Sequence, residues 1–146
     1  MTASVVRYAV EAQAARADLD AVDAGLDAFN GAEPELRQVR PLAVLARDAQ
    51  GRVLGGALGR SWGGCAELQQ LWVHAEGRRQ GVGRRLMALF EAEAAGRGCR
   101  LVYLDTFSFH APDFYRKLGY QEVLQTAGFT GGIVKFTFHK TLAPSP

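Results

Sequence analysis

Along the chain the apolar and polar positions change period several times, and each change marks an element. Val5 to Val10 is a short apolar-rich run that predicts a strand, and the Ala-, Leu- and Asp-rich stretch from Ala12 to Phe29 predicts a helix ended by Asn30-Gly31. Glu33-Pro34-Glu35 punctuates a short helical or loop segment. Leu42 to Arg47 and Arg52 to Arg60 read as two strands joined by Asp48-Ala49-Gln50-Gly51, a hairpin signal. Ser61 to Gly64 supplies the next turn, and Ala66 to His74 is a strand ending in the apolar run Leu71-Trp72-Val73. From Gly81 onward Val82, Leu86, Leu89, Phe90 and Ala94 recur at helical spacing, until Gly96 and Gly98 stop the helix. Arg100 to Phe107 is nearly continuous in apolar residues, the pattern of a strand buried on both faces. Ala111-Pro112-Asp113 opens a further helix, with proline preorganised for its first turn and an acid at the positive dipole end; Gly119 stops it. Tyr120 to Leu124 and Ile133 to Lys140 then predict two strands around the loop Thr126 to Gly132.

That order, a ββ hairpin, strand–helix–strand, helix and ββ, favours one mixed α/β sheet covered by helices. At 146 residues, with no internal repeat or linker, residues 1–142 are expected to form a single domain and 143–146 a disordered tail. The balance of 48% hydrophobic to 22% charged residues is that of a soluble globular protein, and a net charge of +2 is too small to argue for nucleic acid or membrane. Cys65 and Cys99 are two thiols without a CxxC spacing, and the three histidines are well separated, so neither a disulfide framework nor a metal site is expected. Arg7 and Glu11 interrupt the N-terminal segment before a signal-peptide core can form, and no apolar run is long enough to cross a bilayer. A cytoplasmic location follows as the expectation.

Candidate chemistry concentrates between Leu71 and Leu86, where a strand leads into a glycine-bearing turn that opens a helix between arginines. Amides in a first helical turn lack internal partners and can bind an anion. Gly81 and Gly83 allow a diphosphate close to the main chain, and Arg78, Arg79, Arg84 and Arg85 add positive field. A Walker loop would need Lys-Ser/Thr where Arg84-Arg85 stand. A dinucleotide fingerprint fits poorly as well: Leu86 replaces the third glycine, and six residues, 75–80, separate the strand from Gly81. Taken without the glycines, the four arginines fit a solvated helix face or a nucleic-acid patch about as well as a phosphate site.

Arg78-x-x-Gly81-x-Gly83 resembles the [Gln/Arg]-x-x-Gly-x-[Gly/Ala] signature with which GNAT acetyltransferases hold the pyrophosphate of acetyl-CoA. Leu71-Trp72-Val73 resembles the end of their splayed fourth strand, and Tyr115-Arg116-Lys117-Leu118-Gly119-Tyr120 their Tyr-x-x-x-Gly-aromatic segment. The resemblance covers about residues 66 to 124. It implies a GNAT-like, mostly antiparallel twisted sheet whose fourth and fifth strands part, counting Val5 to Val10 as the first. It also implies acetyl-CoA as cosubstrate, no metal, main-chain contacts at Leu71, Trp72 and Val73, and a diphosphate site at Arg78, Arg79, Gln80, Gly81, Val82, Gly83 and Arg84.

Acyl transfer to an amine requires a neutral nucleophile, donors for the oxyanion and protonation of the departing thiolate. The resemblance assigns the last role to Tyr115, protonated at neutral pH and of a basicity comparable to a thiolate; otherwise Ala111, Tyr115 and Leu118 form a packed stripe. Glu67 matches the strand position where some members carry a base, and simple alternation puts it on the face of Leu71; a solvated carboxylate is the alternative. His74 and His110 could relay a proton, and Asp105 fits a structural role better. The oxyanion donors are expected among backbone amides near Val73. Neither cysteine matches a position for a covalent acyl carrier, so direct attack in a ternary complex is expected. The acceptor, a small-molecule or peptide amine, would enter across the loops Phe29 to Arg40, Ser61 to Gly64 and Thr126 to Gly132, where Phe29, Glu33, Trp62 and Phe129 are candidate lining residues. Neither nucleic acid nor membrane is an expected partner, and monomer and homodimer both stay open. Two other classes compete with the enzyme: a non-catalytic CoA-binding sensor or interaction module of the same fold, and a basic nucleic-acid-binding domain using Arg78 to Arg85.

Overall fold

The computed structural model describes residues 3–143, so all of the expected tail except Ala143 lies outside the described residues. The chain divides into two compact units, Met1–Arg37 and Gln38–Pro146.

In the first unit, residues 3–11 have no regular secondary structure and are exposed throughout. The strand expected at Val5 to Val10 is therefore not formed. A short run holds as a strand only where a neighbour takes up its backbone N–H and C=O groups, and among the described residues none pairs with it. Helix α1 spans Arg16–Asn30, starting after Ala15, which is extended (φ −62°, ψ 142°) and provides no side-chain cap. Leu19, Val22, Leu26 and Phe29 fall along one stripe of α1, and all are exposed. Gly31 closes the helix onto the Asp27 carbonyl, and after a 3-10 turn at Pro34–Leu36 the Arg37 Nε donates back to the Gly31 carbonyl at 2.6 Å.

The second unit contains strands β1 (Arg40–Arg47), β2 (Val53–Trp62) and β3 (Cys65–Val73), helix α2 (Val82–Gly96), strand β4 (Leu101–Phe107), helix α3 (Pro112–Lys117), and strands β5 (Gln121–Thr126) and β6 (Lys135–Thr141). They make one six-stranded sheet in the order β1-β2-β3-β4-β6-β5. Its neighbours are antiparallel except β3 and β4, which are parallel and joined by the α2 crossover. The mixed, mostly antiparallel sheet is thus the one expected, with β3 and β4 as the pair counted from sequence as fourth and fifth. Strand β2 runs on to Trp62, so the expected Ser61 to Gly64 turn shortens to Gly63-Gly64 and Ser61 is buried.

Leu86, Met87, Phe90 and Ala94 recur on one side of α2 and are buried with Leu42, Ala57, Ala66, Leu68, Val102, Leu104 and Phe138 of the sheet. This core occupies one sheet face. Accordingly β4 is not buried on both faces: Val102, Leu104 and Thr106 are buried, Leu101, Tyr103 and Phe107 only partly, and Asp105 is exposed. Its apolar run is nearly continuous because two aromatic residues stand on the less covered face. Lys140 Nζ binds a Glu91 carboxylate oxygen at 2.6 Å and the Leu118 carbonyl at 2.7 Å, while Tyr120 donates to the other Glu91 oxygen at 3.1 Å. These bonds fix the end of α3 against α2 and β6.

Candidate functional site

The parallel pairing of β3 with β4 covers only Cys65–Leu68 against Leu101–Leu104. Beyond it β3 continues through Val73 along β2, β4 continues through Phe107 along β6, and a wedge opens between them. The local cause lies in β3. Leu58 pairs with Gln70 but Gly59 with Leu68, leaving Gln69 as a bulge immediately after the last residue paired to β4. A bulge bends its strand and increases the local twist. Gly59 permits it: a Cβ there would lie 1.9 Å from the Glu67 carbonyl oxygen. The bulge also changes which residues share a face. Leu71 and Val73 pack toward the core with Ala66 and Leu68, so Glu67 does not share the face of Leu71, as uninterrupted alternation would have it. Glu67, Gln70 and Trp72 stand on the opposite face, together with Tyr103, Asp105 and Phe107 of β4.

A cleft of about 830 Å³ occupies the wedge. Gln69, Gln70, Leu71, Trp72 and Val73 form its β3 wall, Asp105 and Thr106 its β4 wall, and Phe109, His110, Ala111, Phe114 and Tyr115 extend the latter. Arg78 and Gly83 reach it from the start of α2. Six of the residues expected from sequence to contact the donor, Leu71, Trp72, Val73, Arg78, Gly83 and Tyr115, therefore share one cavity.

The remaining members of the glycine-bearing segment stand at the adjoining helix entrance. Gly81 is the residue before α2 and adopts φ 74°, where a side chain is rarely accommodated; no atom lies within 4 Å of where its Cβ would be. Among the described residues, the amides of Arg79, Gln80, Gly81, Val82, Gly83 and Arg84 have no acceptor, and the first ladder bond of the helix comes from Arg85 to Gly81 at 3.0 Å. Six consecutive unpartnered donors at a helix N-terminus, flanked by exposed arginines, form a site complementary to a diphosphate. Arg79 itself has φ 65°, a strained value for a residue with a side chain. Arg78 Nε donates to the Val73 carbonyl at 3.2 Å, and Gln80 Nε2 to the Glu76 carbonyl at 2.8 Å, so two of the segment's side chains brace the turn.

Tyr115 is 7% exposed, its ring against Phe114, Tyr120 and Phe138 at centroid distances of 5.2, 5.9 and 6.0 Å. Its hydroxyl makes no hydrogen bond within the described residues, and burial pushes its pKa up to about 12. It is thus a neutral donor whose hydroxyl is uncommitted. Glu67 is half-buried and does not line the cleft. Arg60 Nε binds its carboxylate at 2.8 Å, the Tyr103 hydroxyl stands 3.5 Å from the same oxygen, and Trp62 Nε1 donates to Tyr103 at 3.0 Å. Burial also raises the Tyr103 pKa, so the phenol stays a donor.

Of the two candidate proton-relay histidines, His74 accepts the Glu76 amide at 3.0 Å as the cap of a 3-10 turn, and His110 lines the cleft. Asp105 also lines it, and accepts from the Thr137 hydroxyl at 2.5 Å. Trp62 sits in the cluster around Glu67, and Phe129 packs edge-on against Phe107 at 5.4 Å. Phe29 and Glu33 belong to the first unit, on α1 and before the Pro34 turn. Neither Cys65 nor Cys99 lines the cleft, and burial raises the pKa of the Cys99 thiol. Among the described residues no cluster of three His, Cys, Asp or Glu side chains is placed to hold a metal, and no helix is long and apolar enough to cross a membrane. Gly59, Gln69, Tyr103 and Phe109 were not singled out from sequence. A glycine inside a strand pattern, Gly59, was the one available sign of the bulge.

The profile described as "Acetyltransferase (GNAT) domain" matches residues 40–122. Blasticidin-S acetyltransferase of Streptomyces morookaense is 34% identical over 109 residues, 72% of this chain and 80% of that protein. Among solved structures, an acetyltransferase of Agrobacterium tumefaciens superposes with a TM-score of 0.87 at 26% identity, over 94% of this chain and all of the other. An aminoglycoside 6'-N-acetyltransferase complexed with coenzyme A does so with a TM-score of 0.63 at 26% identity, over 80% of this chain and 82% of the other.

Proposed function

The chain belongs to the GNAT acetyltransferases, acyltransferase enzymes that act on small-molecule or peptide amines, and from that premise we propose that it moves an acetyl group from acetyl-CoA to a primary amine by direct attack in a ternary complex. The observation that carries this proposal is the wedge between β3 and β4, with six unpartnered amides at one end and the uncommitted Tyr115 hydroxyl on its wall.

In this mechanism the amides of Arg79 to Arg84 bind the diphosphate of the donor, and Gly81 and Gly83 keep side chains away from it. Leu71, Trp72 and Val73 offer the pantetheine arm a free strand edge, in the manner of an added strand. Backbone amides near Val73 stabilise the oxyanion. Glu67 takes the amine proton through water, with Arg60 and Tyr103 fixing its carboxylate. The amine nitrogen attacks the thioester carbonyl, the tetrahedral intermediate expels the CoA thiolate, and the Tyr115 hydroxyl donates a hydrogen bond to that sulfur. Because burial pushes the Tyr115 pKa to about 12, above a thiol's ~8.5, full transfer to the thiolate is uphill. Tyr115 therefore acts chiefly as a strong hydrogen-bond donor while solvent protonates the released thiolate.

The test is a thiol-release assay with acetyl-CoA and a panel of amines that includes blasticidin S and aminoglycosides, on which the named relatives act. Acceptor-dependent thiol release supports the proposal; tight CoA binding without release by any amine identifies a binding module instead. Labelled acetyl groups retained on the protein without acceptor would refute direct attack.

A further inference from the structure

Aromatic side chains gather where β4 ends, and two of them, Phe109 and His110, line the cleft. Phe107, the last residue of β4, stacks on Phe109 with ring centroids 5.5 Å apart and planes within 9°. His110 sits edge-on to Phe109 at 4.2 Å and Phe129 edge-on to Phe107 at 5.4 Å. Although these rings touch one another, Phe109 is 63% and Phe129 42% exposed. The loop that presents them is braced. Ser108 donates its amide to the Val134 carbonyl at 2.8 Å and accepts the Val134 amide on its hydroxyl at 3.1 Å; the His110 amide returns to the Phe107 carbonyl at 2.9 Å. Ala111, at φ 57°, makes the sharp entry into α3. Lining the cleft with Phe109 and His110, Asp105 offers an exposed carboxylate whose one partner among the described residues is the Thr137 hydroxyl.

A rigid flat platform next to a carboxylate free of a cationic partner is complementary to a cation attached to a planar π system. The geometry points to an acceptor subsite for amines bearing an aryl or heteroaryl ring, the ring stacked on Phe109 and the ammonium group drawn toward Asp105. This inference rests on the proposed acetyl transfer and deepens it by naming the acceptor class. Phe109 is the specificity-determining residue, and Asp105 is a positioning residue that gathers the charged amine before deprotonation.

The experiment compares 2-phenylethylamine with 2-cyclohexylethylamine, a pair of similar length and basicity that differs in the flat ring. Calorimetry in the presence of CoA gives each Kd, and thiol release gives each kcat/KM. The wild-type protein is expected to prefer the aryl amine by about 3- to 10-fold, the range that aromatic pairing supplies beyond area burial. F109A should bring that ratio toward one, F109Y should keep it, and D105N should weaken binding of both amines. Circular dichroism and the acetyl-CoA Kd check that each variant is folded. A wild-type ratio near one, a ratio unmoved by F109A, or turnover of other amines with neither probe bound would overturn the subsite while leaving acetyl transfer intact. Absence of acetyl-CoA binding would instead strike at the transfer reaction itself.

Discussion

Tyr115→Phe removes one oxygen from the cleft and nothing from the core. The ring packs against Phe114, Tyr120 and Phe138, contacts that phenylalanine retains, and the hydroxyl has no hydrogen-bond partner among the described residues to leave orphaned. The change in stability should therefore stay within about 1 kcal/mol. The effect on rate follows from the phenol's environment. With a pKa near 12 the hydroxyl cannot readily give its proton to a thiolate, so its contribution is that of one hydrogen bond to a developing charge. Such bonds contribute about 1.5–3 kcal/mol, or roughly 10- to 150-fold in rate. Steady-state thiol release should show kcat reduced by that factor, with the acetyl-CoA Kd moved less than about 2-fold. The pH profile adds an independent check. In the proposed mechanism the protonated phenol is the active form, so activity tied to it persists below its pKa and falls only as pH rises toward about 12. An alkaline limb near pH 9 to 10 that disappears in Tyr115→Phe would show that the hydroxyl is not buried as described, and an unchanged kcat would remove it from the mechanism.

Gly81→Val places a β-branched residue at φ 74°, at about 1–2 kcal/mol of backbone strain, in a spot with no neighbouring atom. Calorimetry should show at least about 10-fold weaker acetyl-CoA binding with the fold preserved; unchanged affinity would count against the amide cradle. Gly59→Ala forces a Cβ to within 1.9 Å of the Glu67 carbonyl, so the backbone must move; urea denaturation should show a loss of several kcal/mol, and an unshifted midpoint would mean the bulge is dispensable. Stability should also decline in alkali. Tyr115 and Tyr120 both have raised folded-state pKa values, so below about pH 10 protonation is equal in the two states, and above it the unfolded chain ionises first. Tyr115 alone then removes about 1 kcal/mol by pH 11; Tyr115→Phe should show a correspondingly smaller fall in its urea midpoint between pH 8 and 11.

Elements with a strong local signal were legible. The hairpin carries Asp48, whose carboxylate accepts the Gln50 and Arg52 amides, and α2 carries both an apolar stripe and terminal glycines. The Val5 to Val10 strand was misread because its pattern is local while pairing is not: nothing in those residues says whether a partner edge exists. Glu67 was placed on the wrong face for a related reason. Alternation transmits sidedness only while the register is unbroken, and the bulge at Gln69 resets it between Glu67 and Leu71. Its sign was in another strand, at Gly59.

The difference between the two halves of the cleft has the same origin. Backbone recognition of a diphosphate needs glycines and a helix start within a few consecutive residues, so Gly81 and Gly83 signal the proposed donor site even in an isolated segment. The acceptor recognition proposed above would be made by side chains that only the folded sheet assembles, Asp105 from β4 and Phe109 from the following loop, backed by Phe107 and Phe129. The Gln69 bulge links the halves. It stands where β3 leaves β4, and it turns Leu71 and Val73 toward the core while Trp72 stays on the face of Asp105 and Phe107. One inserted residue thus sets the opening of the wedge together with the assignment of side chains to its two faces. Donor and acceptor geometry should consequently respond together to changes at Gly59, even though Gly59 lines neither half.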